Sequence, residues 1–221
     1  MYSAESQRFY NFSYLISFPL MTLGFSLRSS GSRHMPASGP VLLIANHESY
    51  FDPLIVGLAV RRQISYLARK SLFRNRFFAW LIRNLGAVPI DLDGMGREGL
   101  QISSDILKAG NPLLIFPEGE RSRLGDLQPF KAGMMLILKK CPVPVLPIGI
   151  AGAYESFPLH KKWPRPAPLF WPANGGELAV SIGPLISPAT YQALARDEAL
   201  RFFEQAVAHE IALAERQLKR V

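Results

Sequence analysis

Beyond residue 40 the chain alternates short apolar runs with longer segments of mixed polarity. VLLIA (41–45), ISYLA (64–68), AVPID (87–91), PLLIF (112–116) and VPVLPIGI (143–150) read as strands, and ELAVSIG (177–183) as a late one. Strands that are apolar throughout, rather than alternating, belong to a sheet covered on both faces. Between them, segments near 53–61, 71–84, 97–109 and 131–140 are helix-compatible, with Gly110 a stop signal after Lys108. A closing amphipathic helix is expected over about 190–219, where Leu200, Phe203, Val207, Ile211 and Leu218 fall near helical spacing. The alternation predicts an α/β fold, a mostly parallel central sheet flanked by helices.

The start of the chain is different. Residues 9–27, FYNFSYLISFPLMTLGFSL, hold no charge, and a helix of that length just reaches the roughly 30 Å thickness of a bilayer core. Asn11, Ser13, Ser17, Thr22 and Ser26 interrupt it and Pro19 would kink it, while its aromatic residues suit a headgroup boundary. An interfacial or re-entrant anchor is the favoured reading, beside a spanning helix and a buried helix of the fold. A signal peptide does not fit, because Glu5 accompanies Arg8 and no A-x-A site follows. Arg28, Arg33 and His34 come next, and basic flanks tend to stay cytoplasmic. The expected division is a membrane-associating segment over 1–35 and one domain over 36–221, with its site on the cytoplasmic side.

Composition narrows the class. With 48% hydrophobic and 19% charged residues, the chain is no disordered polyelectrolyte. Cys141 is its one cysteine, so no intramolecular disulfide or thiolate cluster can form. The redox compartment stays open, the cytosol mildly favoured. The net charge of +8 points to an anionic partner: nucleic acid, a membrane surface or a phosphorylated substrate. Nucleic acid is not expected, since no helix-turn-helix, RNP-like or zinc pattern is present. The four histidines (34, 47, 160 and 209) are scattered and none has zinc-ligand spacing, so no metal is expected.

Two motifs follow strand ends, where open α/β sheets place their ligands. The first is Asn46-His47-Glu48-Ser49-Tyr50-Phe51-Asp52-Pro53. In a regular helix His47 and Asp52 would lie about 140° apart, so they meet only if the chain turns between them. Taken alone, Asp52 is a helix cap and His47 a loop histidine; the functional reading is a general base oriented by a carboxylate. The second motif is Phe116-Pro117-Glu118-Gly119-Glu120-Arg121-Ser122-Arg123, whose glycine and arginines could hold a phosphate, or which could be a charged turn with Glu118 and Arg121 paired.

NHxSxxDP followed by FPEGxRS, in that order, resembles the glycerolipid acyltransferase family, the 1-acyl-glycerol-3-phosphate acyltransferases and their relatives. Lys70 to Asp91, Phe130-Lys131-x-Gly133 and Val143-Pro144-Val145-Leu146-Pro147 look like the family's other blocks, so the resemblance covers roughly residues 40–185. Two positions depart. Leu92 stands where the family carries the arginine associated with acceptor binding, and Glu120 where a threonine is common. Both changes bear on the acceptor, and Lys70, Arg97 or Arg123 are candidate substitutes for that arginine.

The resemblance implies a glycerol-phosphate acyltransferase-like fold and an O-acyl transfer in phospholipid biosynthesis. His47 would take the proton from an acceptor hydroxyl while Asp52 holds the imidazole. Gly119 and Arg121, with Ser122, Lys70 and Lys131, would bind an acceptor phosphate; Glu118 would position the acceptor or Arg121, or serve structure. The donor would be acyl-CoA or acyl-carrier protein as co-substrate, with no resident cofactor. The acceptor would be a lysophospholipid, 1-acylglycerol-3-phosphate foremost, within membrane lipids. Another lyso-lipid such as a lyso-aminolipid, or a non-catalytic lipid-binding role, is the alternative. Two basic, aromatic stretches, 61–83 and 157–172, suit anionic headgroups, the phosphates of coenzyme A or an acidic carrier, or form solvated basic faces over packed aromatics.

Overall fold

The computed structural model describes residues 4–91 and 96–219; Leu92, the departure noted above, lies outside the described residues. The described chain opens with α1 (Ala4–Phe25), then β1 (Arg28–Ser30) and a 3-10 turn at Ser32–His34. There follow β2 (Leu42–Ala45), α2 (Asp52–Val60), β3 (Ser65–Arg69), a second 3-10 turn (Lys70–Phe73), α3 (Arg76–Asn84) and β4 (Ala87–Ile90). The remainder is α4 (Arg97–Lys108), β5 (Leu113–Ile115), α5 (Gly133–Lys140), β6 (Val145–Ala151), α6 (Ala153–Ser156), β7 (Ala179–Ile182), α7 (Pro188–Gln192) and α8 (Arg196–Leu218).

The strands form one sheet in the order β1-β7-β6-β2-β5-β3-β4. The β6-β2-β5-β3-β4 block is parallel, β7 runs antiparallel to β6, and β1 runs parallel to β7. The α/β reading with a mostly parallel sheet is therefore correct. β2 sits centrally and all its side chains are buried. Leu43 and Ala45 face a core with Ile55 and Val56 of α2, whereas Leu42 and Ile44 face one with Met134, Ile137, Phe203 and Val207 of α5 and α8. That two-sided burial is why its sequence shows no polar alternation.

Gly149 lets α8 lie directly on β6: a Cβ there would stand 2.1 Å from the Glu210 carbonyl carbon. The expected helix over 190–219 is two helices. Ser187 caps α7, accepting from Thr190 N–H, and the Glu198 carboxylate accepts the Ala195 N–H at 3.0 Å to start α8 afresh.

The sheet also begins earlier than the apolar pattern indicates, at Arg28. Arg28 and Ser29 pair with Ala179 and Val180, and the Arg28 guanidinium donates to the Gln217 carbonyl. His34 Nδ1 lies 2.8 Å from the Ile182 carbonyl. These residues, read from sequence as a basic membrane flank, are held by the sheet and its neighbours.

Among the described residues no helix is long and apolar enough to cross a membrane, which removes the spanning reading of residues 9–27. Instead α1 lies on α2. Tyr10 and Met21 are buried, the Tyr10 hydroxyl donates to the Gly57 carbonyl at 3.1 Å, and Tyr14, Phe18 and Phe25 pack on the core. Its other side leaves Phe12, Leu15, Ile16, Leu20 and Leu23 exposed.

Candidate active site

β2 and β5 are parallel neighbours, so their C-terminal ends deliver the two motifs side by side. Asn46, leaving β2, is clamped to β6: its Oδ1 accepts the Ile150 N–H at 2.8 Å and its Nδ2 donates to the Ile150 carbonyl at 3.0 Å. The next residue is thereby aimed off the sheet edge. The chain then turns so that Asp52, the first residue of α2, points back into the loop. Its Oδ2 lies 2.7 Å from His47 Nδ1 and accepts the N–H groups of Glu48 and Ser49 at 2.7 and 2.8 Å. Asp52 thus closes the loop before the helix, and does not cap the N–H groups after it; Phe51 holds the N-cap position without a side-chain bond.

The Asp52 carboxylate is fully buried, whereas the imidazole keeps 20% of its surface open. With Nδ1 committed to Asp52, Nε2 is the ring nitrogen left for an incoming group. The ring lies flat against Phe116, centroids 3.9 Å apart and planes 12° from parallel. A carboxylate at one ring nitrogen and an aromatic face on one side leave the imidazole little rotational choice.

The second motif grips the first. Glu118 Oε1 accepts the His47 N–H at 2.6 Å, its Oε2 accepts the Gln128 N–H at 2.9 Å, and the Ser122 N–H donates to the His47 carbonyl at 2.7 Å. Burial pushes the Glu118 carboxyl up to about 7; the N–H groups of Gln128 and His47 pull it down, and the charges of Asp52 and Glu204 raise it further. The Ser122 hydroxyl accepts from Leu124 and Gly125 N–H at 3.3 and 3.0 Å. The carboxylate and hydroxyl of this pair are thus occupied by backbone, and both residues are 2% exposed.

The accessible members of the predicted phosphate-binding set are Gly119, Arg121, Lys131 and Lys70. Gly119 has φ +79°, and a Cβ there would stand 2.8 Å from Lys131 Nζ, so the ammonium lies over the bare glycine. The Arg121 guanidinium stacks on Tyr50, 3.8 Å from the ring centroid, bridging the second motif to the first. Lys70 follows β3 at the same sheet edge, but its ammonium is engaged by Asp91 and, at 3.7 Å, by Glu98. The Asp91 hydrogen bond raises its pKa.

Sequence reasoning did not single out Asn46, Glu48, Tyr50 or Phe116. Glu48 is buried, accepting from Asn46 Nδ2 at 2.7 Å and from Tyr154 N–H at 3.2 Å. Burial holds its carboxyl well above the usual range, and the nearby Asp52 charge adds to this. The available signal was a carboxylate and an amide flanking a histidine at a strand exit. Among the described residues no group of three or more His, Cys, Asp or Glu could hold a metal ion.

This arrangement, an oriented imidazole beside a cationic turn, suits proton abstraction from a hydroxyl next to an anionic group. A family model described as Acyltransferase matches residues 26–151. The 1-acyl-sn-glycerol-3-phosphate acyltransferase of Streptococcus pneumoniae is 34% identical over 113 residues, 50% of this chain and 41% of that protein. The chain's match therefore spans about two fifths of that relative's length. The enzyme of the same name from Bacillus subtilis is 24% identical over 200 residues, 90% of this chain and 93% of its own. The crystal structure of the 1-acyl-sn-glycerophosphate (LPA) acyltransferase PlsC from Thermotoga maritima superposes with a TM-score of 0.73 at 24% identity, over 98% of this chain and 79% of that one. That likeness establishes a shared fold. With the matched model covering more than half the chain and both motifs, the chain belongs to the acyltransferase family, a family of transferases.

Proposed function

We propose that the protein transfers a fatty acyl chain from a thioester donor to the hydroxyl of a lysophospholipid, with 1-acylglycerol-3-phosphate the leading acceptor. The observation that carries this reading is the His47–Asp52 contact of 2.7 Å, with the opposite ring nitrogen free to act, beside Gly119, Arg121 and Lys131. Relatives bearing the name 1-acyl-sn-glycerol-3-phosphate acyltransferase support the acceptor.

His47 Nε2 takes the proton of the acceptor hydroxyl as its oxygen attacks the thioester carbonyl carbon. Asp52 keeps the proton on Nδ1 and stabilises the imidazolium that forms. The tetrahedral adduct collapses by breaking the C–S bond. The sulfur leaves as thiolate, since an ordinary thiol has a pKa of about 8.5, and takes up the proton His47 acquired. The products are the ester and a free thiol, and no acyl-enzyme is needed. Arg121 and Lys131, with the Gly119 backbone, hold the acceptor phosphate by charge-assisted hydrogen bonds. Glu118 is a positioning residue, fixing the His47 backbone against the second motif. The donor is acyl-CoA or acyl-carrier protein, and the reaction runs at a membrane surface on the cytoplasmic side.

The test is a panel of purified lysolipids, phosphate-bearing and amino-headed, with acyl-CoA and acyl-carrier donors. Diacyl product from 1-acylglycerol-3-phosphate supports the reading. Product only from a lyso-aminolipid reassigns the acceptor, and lipid binding without product from any pair overturns transfer.

A further inference from the structure

The segment that follows α6 presents its largest side chains to solvent although its backbone is pinned. Trp163, Phe170 and Trp171 are 83%, 85% and 74% exposed. The Ala167 N–H donates to the Gly24 carbonyl at 2.9 Å, the Leu169 N–H to the Leu23 carbonyl at 3.0 Å, and the Ser26 hydroxyl to the Ala167 carbonyl at 2.8 Å. Ala167 itself is buried. At its start, the Phe157 carbonyl accepts the Ser49 hydroxyl at 2.8 Å, and the Phe157 ring packs on Phe51 at 5.1 Å. One end of this segment therefore abuts the His47 loop and its middle is tied to the last turn of α1. Prolines recurring from Pro158 to Pro172 deny it helix or sheet, and fix φ along its length.

Leucines on α1 extend the same surface. Leu20 and Leu23 are 62% and 51% exposed, and Leu23 lends its carbonyl to Leu169, itself exposed. Further back, Phe12 and Ile16 fall at helical spacing with Leu20 and Leu23 and are also exposed. An apolar stripe this extended exceeds the scattered exposure of ordinary surfaces. Residues 157–172 carry Lys161, Lys162 and Arg165 and no acid, and residues 9–27 carry no charge at all. Tryptophan and phenylalanine backed by lysine and arginine match the apolar-to-anionic gradient of a phospholipid interface.

We propose that the segment 157–172 and the outer stripe of α1 together form a surface that inserts into an anionic lipid bilayer, with Trp163, Phe170 and Trp171 as its wedge. The bilayer is favoured over an acidic protein because the exposed stripe of α1 that continues this surface carries no charge for an acidic partner to pair with. Lipid docking rests on the acyl-transfer reading only for its purpose, not for its evidence. It sets the His47 loop, whose exposed Tyr50 packs on Phe157 at 5.3 Å, beside the lipid surface, where a lipid acceptor is held.

The chain holds three tryptophans, so full-length protein with Trp80→Phe reports from Trp163 and Trp171 alone. With vesicles of phosphatidylcholine and phosphatidylglycerol, the emission should shift to the blue and be quenched by brominated acyl chains. Replacing Trp163, Phe170 and Trp171 by Ser should lower vesicle partitioning roughly tenfold or more. Transfer to a monomeric short-chain acceptor should be unchanged in that variant. The proposal is overturned by unchanged emission in protein that sediments with vesicles, since α1 alone then docks, or by failure to bind vesicles. It is equally overturned by a shift seen only with an acidic carrier protein, or by a concentration-dependent shift in vesicle-free buffer, which would mark a second copy. Absence of transfer in the unmutated protein would sink the proposed reaction and leave the fluorescence result standing.

Discussion

Asp52 Oδ2 stands 2.7 Å from His47 Nδ1 and, in the same position, takes two backbone N–H groups of the intervening loop. One carboxylate oxygen thus shapes the loop and orients the base. Asp52→Asn retains an oxygen acceptor for the loop but removes the charge that stabilises an imidazolium. Turnover should fall about 10²-fold or more with little change in melting temperature. Steady-state kinetics beside thermal melts separate this from simple unfolding, which would lower both.

Arg121 stacked on Tyr50 gives a second prediction. Arg121→Ala should raise the acceptor KM by about tenfold and leave the donor KM nearly unchanged, because a charge-assisted phosphate contact is lost. Tyr50→Ala should move the acceptor KM the same way by a smaller factor, and Tyr50→Phe, which keeps the ring, should not. A change confined to the donor KM would assign Arg121 to the donor instead.

Gly119→Ala should harm the site through two routes. A side chain at φ +79° is strained by about 1 kcal/mol, and its Cβ would displace the Lys131 ammonium from 2.8 Å. The expected result is a raised acceptor KM that Lys131→Met reproduces, with a modest fall in melting temperature that Lys131→Met does not. If the alanine variant binds acceptor normally, Lys131 does not act from that position.

Glu118 yields a pH dependence of stability. Its carboxyl titrates at about 7 in the folded protein, above the ordinary value of 4.5, mainly because of burial. Between those values the folded chain keeps a proton that the unfolded chain has released, so this contribution to stability falls as pH rises from 4.5 to 7. Glu48, also raised, adds a slope of the same sign. Glu118→Gln should be less stable by about 1–3 kcal/mol, as one N–H loses its acceptor, and its melting temperature should fall less between pH 5 and 7.5. An identical slope in both proteins would assign the titration to other groups.

Much of the parallel block was legible because its strands are buried on both faces. Leu42 to Ala45 and Val145 to Ile150 needed no partner information to be recognised. β1 was not legible: Arg28, Ser29 and Ser30 are polar, and they become a strand only through pairing with Ala179, Val180 and Ser181 far along the chain. The same limit applies at the site. Local spacing alone makes Asp52 a helix cap and His47 a loop histidine, and their pairing is expected only from the family resemblance; that the ends of β2 and β5 lie together depends on a strand order the apolar pattern does not encode. The stacking of His47 on Phe116 and the use of Glu118 to hold the His47 N–H depend on how two distant turns meet. No local pattern encodes them. The outer and inner sides of α1 were also inseparable in sequence, because apolar residues occupy both; the fold decides that Tyr10 and Met21 are covered while Leu15 and Leu20 are not.

The most direct test of the account is the turnover of His47→Ala with a monomeric 1-acylglycerol-3-phosphate and the donor that proves active. His47 sits at the junction of β2, α2 and the second motif, yet its imidazole packs mainly on Phe116, so the variant should remain folded. Loss of general-base catalysis should lower kcat by about 10²–10⁴-fold, with circular dichroism and melting temperature near those of the parent protein. A folded His47→Ala protein that turns over within about threefold of the parent would contradict the central claim.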